Sequence, residues 1–124
     1  MTEQQPSGVE DIVRAEIDAW GRNDVDEVMS HFAEDATFDI GPAYPRLVGH
    51  SAIREMMTVF FERGTCIDLQ IDHLAVDGHV VLMERRDHWV VNGQQRSWPV
   101  MGAYEVRDGK ITAWREYFYP PKES

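Results

Sequence analysis

An arginine and an aspartate two residues apart, Arg85 and Asp87, interrupt an otherwise apolar pattern in the second half of the chain. Successive side chains of a strand point to opposite faces, so Arg85 and Asp87 share one face. The other side chains on that face are apolar: Val81, Met83, Trp89 and Val91. The opposite face is more polar and carries Glu84, Arg86 and His88. Charges on an apolar face are unfavourable unless each satisfies the other, so the pair is either a structural ion pair or part of an active site.

A third charged residue, Glu116, shows the same pattern near the end of the chain. It shares a strand face with Trp114 and Phe118, so an aromatic side chain flanks it on each side. A carboxyl group in an apolar pocket has a raised pKa unless a cation pairs with it, and a neighbouring arginine lowers that pKa. Two carboxyl groups that share one arginine can therefore serve as an acid and a base.

Three amphipathic helices are predicted to precede these strands. Ser7 with Glu10, and Asp24 with Glu27, have the spacing of a capping box at the start of the first two helices, and Ser51 opens the third. Their apolar stripes are assigned to the core; these are Val9, Ile12, Val13, Ile17 and Trp20, then Val25, Val28, Met29 and Phe32, then Ile53, Met56, Met57, Phe60 and Phe61. A short strand is predicted over 36–40 and a loop over 41–50.

Three dipeptides typical of two-residue hairpin turns divide the second half: Asp77-Gly78, Asn92-Gly93 and Asp108-Gly109. They predict four strands in an antiparallel meander, at about 66–76, 79–91, 95–107 and 110–118. Helices segregated from a mainly antiparallel sheet define an α+β fold with the helices packed on one face. We expect the curved sheet to close over the helices as a cone, with Arg85 and Asp87 facing the cavity inside it.

The composition is that of a single globular domain over residues 1–124. Of the 124 residues 43% are hydrophobic, and 12 basic against 22 acidic residues give a formal net charge of −10. This charge repels phosphate backbones, so nucleic acid is not expected as a ligand. Without a membrane-spanning run, a signal-peptide core or a partner for Cys66, we expect a cytoplasmic protein that contacts no membrane. The five histidines lack metal-ligand spacing, so no metal site is expected.

Two segments carry a family likeness. Residues 77–87 read Asp-Gly-His-Val-Val-Leu-Met-Glu-Arg-Arg-Asp, and residues 108–118 read Asp-Gly-Lys-Ile-Thr-Ala-Trp-Arg-Glu-Tyr-Phe. Together with Val-Met-Ser-His-Phe-Ala-Glu-Asp-Ala-Thr at 28–37, they resemble the limonene epoxide hydrolase family, within the SnoaL-like, nuclear transport factor-like superfold. The resemblance implies one-step addition of water to a small or medium apolar epoxide without a cofactor. By position, Asp87 is then the acid that protonates the epoxide oxygen, Glu116 the base that takes a proton from water, and Arg85 the bridge.

The chain departs from the pattern of that family in two places. The family base is usually an aspartate, and here it is Glu116. The family also orients its water with a tyrosine and an asparagine on the short strand, where this chain has Phe38 and Ile40, which cannot bond to water. A drier site favours proton transfer on carbon. Two alternatives therefore stay open: a SnoaL-like, cofactor-free isomerase or cyclase acting on a ketone or polyketide-like substrate, and a non-catalytic ligand-binding domain.

The substrate pocket is predicted to be lined by apolar and aromatic residues: Phe38, Ile40, Met83, Trp89, Trp98, Tyr104, Trp114 and Phe118. Tyr104, Trp98 and His73 are candidates to help Glu116 hold a water. His73 shares the inner face of its predicted strand, where a core position is favoured, and Asp39 is assigned to the surface. Apolar residues on the outer face of the sheet, namely Val80, Leu82 and Val90, indicate cover by a partner, so we expect a homodimer.

Overall fold

The computed structural model describes residues 8–41 and 43–118, and within them it contains three helices and six strands. The helices are α1 (Val9–Gly21), α2 (Val25–Met29) and α3 (His50–Arg63). The strands are β1 (Phe32–Ile40), β2 (Leu47–Val48), β3 (Gly64–Asp77), β4 (Val80–Val91), β5 (Gln94–Arg107) and β6 (Lys110–Phe118). They form one sheet in the order β2-β1-β6-β5-β4-β3, in which only β1 and β6 run parallel. The predicted α+β class is confirmed.

The start of α2 follows its capping signal. The Asp24 side chain accepts hydrogen bonds from the backbone N–H groups of Asp26 and Glu27, as the capping pattern predicts. α1 begins after Gly8 without a side-chain cap, and the predicted capping residue Ser7 lies outside the described residues. α3 begins at His50, one residue before the predicted start.

The prediction for Phe32 is wrong: it belongs to β1, not to the second helix. α2 ends at Met29, and the backbone N–H of Ile111 donates to the carbonyl of His31. Phe32 then pairs with Ile111 in the parallel ladder between β1 and β6. β1 therefore starts four residues earlier than the predicted strand over 36–40, because pairing with a distant strand overrides the local helical periodicity of residues 25–32.

The three hairpins join β3 to β6 into the predicted meander. The turns Asn92-Gly93 and Asp108-Gly109 have positive φ at both residues, 54° and 76° in the first and 52° and 76° in the second, as type I′ turns require. The first turn lies one residue later than predicted. Asp77 pairs with Val80, so its two turn residues are Gly78-His79, and Gly78 takes the positive φ of 61°.

A β-bulge in β3 corrects the placement of His73. Ile71 pairs with Arg85, but His73 pairs with Glu84, so Asp72 is an extra residue in the ladder. The bulge turns the following side chains over, because a shift of one residue exchanges the two faces. His73 therefore lies on the exposed outer face with its Nδ1 atom 2.8 Å from Glu84 Oε1, and it takes no part in the cavity.

The alternation of β4 agrees with the predicted faces. Its odd-numbered side chains from 81 to 89 are buried, and its even-numbered ones from 82 to 88 are exposed or half-buried. α1 and α3 bury their apolar stripes against the sheet, with Val13, Ile17, Ile53 and Met57 in the core. In the part of the chain that the structure describes, no helix is long and apolar enough to cross a membrane.

Candidate active site

Arg85 is the centre of a buried group of four polar side chains. Its Nε atom donates to Asp87 Oδ1 at 2.7 Å, and its Nη2 atom donates to Asp87 Oδ2 at 3.1 Å. Nη2 also donates to the Glu116 carboxylate, and Nη1 donates to the Tyr104 hydroxyl at 2.7 Å. All four residues are buried. One guanidinium thus holds both carboxyl groups that the sequence singles out, with a phenol as its third partner.

Gly102 lets Arg85 reach Glu116 across an intervening strand. Arg85 and Asp87 belong to β4, Glu116 belongs to β6, and β5 runs between them. In that ladder Gly102 pairs directly with Glu116. A Cβ atom at Gly102 would stand 3.2 Å from Arg85 Nη1 and 3.2 Å from Tyr104 Cε1. The missing side chain therefore leaves the space that the guanidinium occupies. Gly102 is not among the predicted site residues, although a glycine inside a strand is a recognised sign of close approach.

Arg85, Asp87 and Glu116 line an apolar cavity of about 750 Å³. Six of the eight residues predicted to contact substrate line it with them: Phe38, Ile40, Trp89, Trp98, Trp114 and Phe118. The cavity is of the size that holds a small organic ligand. Its walls offer such a ligand aromatic and aliphatic contacts, with the charged groups gathered around Arg85.

Met83 and Tyr104 do not line the cavity, contrary to their predicted place. Both are buried in the core, and Tyr104 reaches the site only through its hydrogen bond to Arg85. Alternation predicts which face a side chain takes, but not how far along the strand the cavity extends before core packing fills it. Asp39 lies outside the cavity, in agreement with its predicted surface position, and pairs with the exposed Arg46 at 2.9 Å.

Helices α1 and α3 contribute a wall of the cavity, which includes Trp20, Met56 and Phe60 from the predicted core stripes. The residues from α1 and α3 are Trp20, Ala52, Glu55, Met56, Val59, Phe60 and Arg63. Tyr44, Leu47, Gly64, Leu69 and Val91 complete the lining. An amphipathic stripe has the same spacing whether it faces packed side chains or an open cavity, so periodicity alone cannot separate the two.

Burial sets the protonation behaviour of the site. Desolvation raises the pKa of Glu116 above its ordinary value, the charge of Arg85 opposes this, and the charge of Asp87 adds to it. Burial alone would lower the pKa of Arg85, but Glu116 and the other acidic partners raise it well above its usual range. Burial also raises the pKa of Tyr104. Arg85 therefore stays charged, Tyr104 stays a neutral phenol, and Glu116 keeps its proton to a higher pH than an exposed glutamate.

The surroundings of Glu116 are apolar on the side of β1. Ile40 pairs with Glu116, and Phe38 pairs with Trp114 in the parallel ladder. The rings of Phe38 and Trp114 stack with their centroids 4.3 Å apart. Phe38 and Ile40 thus stand beside the proposed base, as the sequence analysis expects. Among the described residues, no group of three or more histidine, cysteine, aspartate or glutamate side chains is arranged to hold a metal ion.

Comparison with known proteins identifies the family of the chain. The family model for the limonene-1,2-epoxide hydrolase catalytic domain matches residues 8–120. The chain belongs to this family. A curated relative, the epoxide hydrolase EphG of Mycobacterium tuberculosis (strain ATCC 25618 / H37Rv), is 28% identical over 106 residues, which are 86% of this chain and 70% of the relative.

Solved structures place the family member in its superfold. An epoxide hydrolase of M. tuberculosis that is similar to limonene epoxide hydrolase superimposes with a TM-score of 0.79 at 27% identity, covering 90% of this chain and 82% of the other. A candidate SnoaL-like polyketide cyclase from Shewanella denitrificans OS-217 gives a TM-score of 0.80 at 15% identity, covering 90% of each chain. The second likeness shows the shared fold alone.

Proposed function

We propose that this member of the limonene epoxide hydrolase family adds water in one step to an apolar epoxide, with Asp87 as acid, Glu116 as base and Arg85 as the bridge between them. The observation that supports it most strongly is the pair of buried carboxyl groups held by one guanidinium in the wall of an apolar cavity. The relative EphG, which is an epoxide hydrolase, supports the same reaction class.

The reaction uses one proton shared between two carboxyl groups. Asp87 gives its proton to the epoxide oxygen as the carbon–oxygen bond breaks, and Glu116 takes a proton from the water whose oxygen bonds to that carbon. Arg85 remains protonated, so the group carries one positive and one negative charge before and after the step. Because the site is buried, this constant net charge avoids leaving an unpaired charge in an apolar cavity. One proton transfer from Glu116 to Asp87 then restores the starting state.

The cavity favours an apolar substrate of small or medium size. Its volume of about 750 Å³ and its aromatic walls suit a molecule that buries most of its surface, with the epoxide as its polar point. Trp98, Trp114 and Phe118 stand around the carboxyl groups, where they would hold the ring or chain that carries the epoxide.

The test is incubation with cyclic and lipid epoxides in heavy-oxygen water. We expect a diol that carries one labelled oxygen. Asp87→Asn and Glu116→Gln are expected to lower kcat at least about a hundredfold, the usual contribution of a general acid or base. Glu55→Gln, at an exposed lining position, is the matched control and keeps its activity. If every epoxide stays intact and no labelled diol forms, the hydrolase function is excluded.

A cofactor-free isomerase or cyclase is the second candidate, and the side chains beside the base favour it. Phe38 and Ile40 offer no hydrogen bond to a water at Glu116, so a substrate proton on carbon is the other group that this base would meet. Deuterium exchange at an activated carbon of a ketone, lost in Glu116→Gln, with no labelled diol, would favour this reaction. Binding without turnover in either assay would indicate a ligand-binding domain.

We also infer that the protein forms a homodimer through the outer face of the sheet. Leu82, Met101 and Tyr117 lie on that face with 42%, 46% and 57% of their surface exposed. Met101 pairs with Tyr117 across the strands, so these side chains adjoin. Light scattering is expected to give the mass of two chains for the native protein and of one chain for Leu82→Glu. A native mass of one chain would reject the inference.

A further inference from the structure

Glu16 is a buried carboxyl group for which the proposed reaction has no use. It lies in the middle of α1, is 0% exposed, and is not among the residues that line the cavity. Its neighbours one turn away on the same helix, Val13 and Trp20, are also buried. The acid therefore stands within the core-facing stripe of the helix, where glutamate is rare unless it has a partner.

The two oxygens of Glu16 differ in their surroundings. Oε2 accepts a hydrogen bond from Trp20 Nε1 at 3.1 Å. Oε1 is buried and has no hydrogen-bond partner among residues 8–41 and 43–118. A buried carboxylate with a single neutral hydrogen-bond donor is poorly stabilised. It avoids the cost of burying its charge by taking a proton. Since Oε2 already accepts a bond, the proton belongs on Oε1.

Burial, more than the charged groups nearby, favours the uncharged form of Glu16. Burial raises its pKa well above the ordinary value, and the charge of Glu27 on α2 acts in the same direction. The Trp20 bond and the charge of Arg85 on β4 oppose this shift without cancelling it. Tyr104 on β5 is close enough to Glu16 that the charge of Glu16 raises the pKa of Tyr104. Glu16 therefore lies within electrostatic range of the centre of the active site.

Trp20 connects Glu16 to the cavity. Its indole lines the cavity and contacts Trp114 and Trp89 edge to face, with ring centroids 5.8 Å and 6.1 Å away. Trp114 is two residues from Glu116 on β6, and Trp89 is two residues from Asp87 on β4. The orientation of the Trp20 indole therefore fixes the wall that stands between the two carboxyl groups and the helices.

An ionised Glu16 would disturb the same centre. Arg85 already compensates the charge shared by Asp87 and Glu116. A further negative charge within range would draw on the same guanidinium and would make it harder to keep either catalytic carboxyl group ionised. A neutral Glu16 keeps the bond to Trp20 without this competition.

We propose that Glu16 is a positioning residue of the active site that acts as an uncharged acid, anchoring Trp20 in the cavity wall and leaving Arg85 to Asp87 and Glu116. The kinetic part of this proposal rests on the proposed epoxide hydrolase function. The protonation state and the anchoring of Trp20 do not depend on it.

Two variants separate the hydrogen bond from the charge. Glu16→Gln keeps an oxygen that accepts from Trp20 and can never ionise, whereas Glu16→Leu keeps apolar volume and removes the acceptor. Glu16→Leu leaves the Trp20 N–H without its acceptor, and this loss is smaller than the stability of a typical domain, so both variants are expected to fold. Glu10→Gln, on the exposed side of α1 where Glu10 pairs with Arg14, is the matched control.

Infrared difference spectra and tryptophan fluorescence test the proposal without turnover. At neutral pH, the native protein minus Glu16→Gln is expected to show the band of a protonated carboxylic acid, and the native protein minus Glu10→Gln that of a carboxylate. Tryptophan emission is expected to shift in Glu16→Leu and to stay unchanged in Glu16→Gln. A carboxylate band for Glu16, or unchanged emission in Glu16→Leu, would overturn the proposal.

Kinetics test the same proposal on any epoxide that the native protein opens. Glu16→Leu is expected to raise KM about tenfold with a smaller change in kcat, the effect of losing one buried hydrogen bond in the wall. Glu16→Gln is expected to keep kcat/KM within about twofold, because its amide oxygen accepts the same bond. At the alkaline pH where the native protein loses the acid band, Glu16→Gln is expected to be the more active of the two proteins. If both variants lose kcat equally, the positioning role is wrong. If the native protein opens no epoxide, the function fails while the spectra still decide on Glu16.

Discussion

Arg85 and Arg86 are neighbours in β4 and each holds an aspartate, but they do so on opposite faces of the sheet. Arg85 Nε lies 2.7 Å from Asp87 Oδ1, with the two side chains 1% and 8% exposed. Arg86 Nε lies 3.0 Å from Asp72 Oδ2, with 53% and 25% exposed. The chemistry of the two pairs is the same, so any difference between them comes from solvent and from the further partners that Arg85 has in Glu116 and Tyr104.

The pKa values of Asp72 on the outer face and Glu116 on the inner face are shifted in opposite directions. The hydrogen bonds of Arg86 lower the pKa of Asp72, and its slight burial does not reverse that. Burial raises the pKa of Glu116 even though Arg85 bonds to it. An arginine beside an acid is therefore not enough to predict the protonation state of that acid, because the loss of hydration can outweigh the ion pair.

The largest difference is expected from removing the two arginines one at a time. Arg85→Met leaves Asp87 and Glu116 buried without their cation, and breaking such a pair lowers the free energy of unfolding by about 3–5 kcal/mol. Turnover is expected to fall below detection. Arg86→Met is the matched control: it removes an exposed, screened pair and is expected to leave turnover unchanged and to lower the urea midpoint only slightly. Urea unfolding and epoxide assays of both variants measure the comparison. Equal losses in the two variants would mean that burial does not distinguish the pairs.

Gly102→Ala tests whether Arg85 needs the space beside Gly102, and it changes only the buried face of the sheet. The added methyl group would stand 3.2 Å from Arg85 Nη1 and from Tyr104 Cε1, so the guanidinium must move. Overpacking of this kind lowers the free energy of unfolding by about 1–3 kcal/mol, and we expect a loss of kcat larger than the loss of stability alone explains.

The control for this substitution is Gly21→Ala at the end of α1, where the nearest atom would be 3.8 Å away and the φ angle needs no glycine. It is expected to keep both activity and the thermal midpoint. A fully active Gly102→Ala enzyme would show that Arg85 has room to spare and that its geometry is not set by β5.

The assignment of side chains to the two faces of β4 is also the feature that the sequence predicts best. Alternation alone separates Arg85 and Asp87 from Arg86, because a strand with one buried face has a side-chain period of two. The same rule assigns Glu116 to the inner side of β6. It succeeds because β4 and β6 have no bulge near these residues.

The same rule fails for His73 because the extra residue Asp72 inverts the alternation, and nothing in the local sequence marks the bulge. It also cannot show that Gly102 makes room for Arg85, since that contact joins three strands. Helical periodicity assigns Trp20 and Phe60 to the core, where both pack, but it cannot show that they also line the cavity. The face that a side chain takes follows from its spacing along the strand or helix. The depth of a cavity depends on how elements that are distant in sequence pack together.

A pH titration follows the two faces separately. Carbon-13 NMR is expected to show Glu116 titrating above the usual glutamate range and Asp72 below the usual aspartate range. If Glu116 is the base, kcat/KM falls as the pH drops through this raised pKa, because the base must be ionised. For stability the sign is opposite: the folded state holds the Glu116 proton more tightly than the unfolded state, so this contribution is present at acid pH and is lost as the pH rises through the raised pKa.

Asp72 behaves in the reverse way, since its lowered pKa gives a contribution that is present at neutral pH and is lost as the pH falls. Glu116→Gln is expected to remove the first slope and Asp72→Asn the second. An ordinary pKa for Glu116 would mean that the cavity is wetter than its lining indicates.

Salt gives the smallest effect and the most direct test of why the two faces differ. Raising the ionic strength from about 0.1 M to about 1 M shortens the Debye length from about 10 Å to about 3 Å. Screening acts where ions and water reach both partners, so the pKa of Asp72 is expected to rise toward its ordinary value while that of Glu116 stays in place. The measurement is the same carbon-13 titration at both salt concentrations. If the pKa of Glu116 moves as far as that of Asp72, its charge is felt by bulk solvent. Burial could then not be the cause of the raised pKa of Glu116.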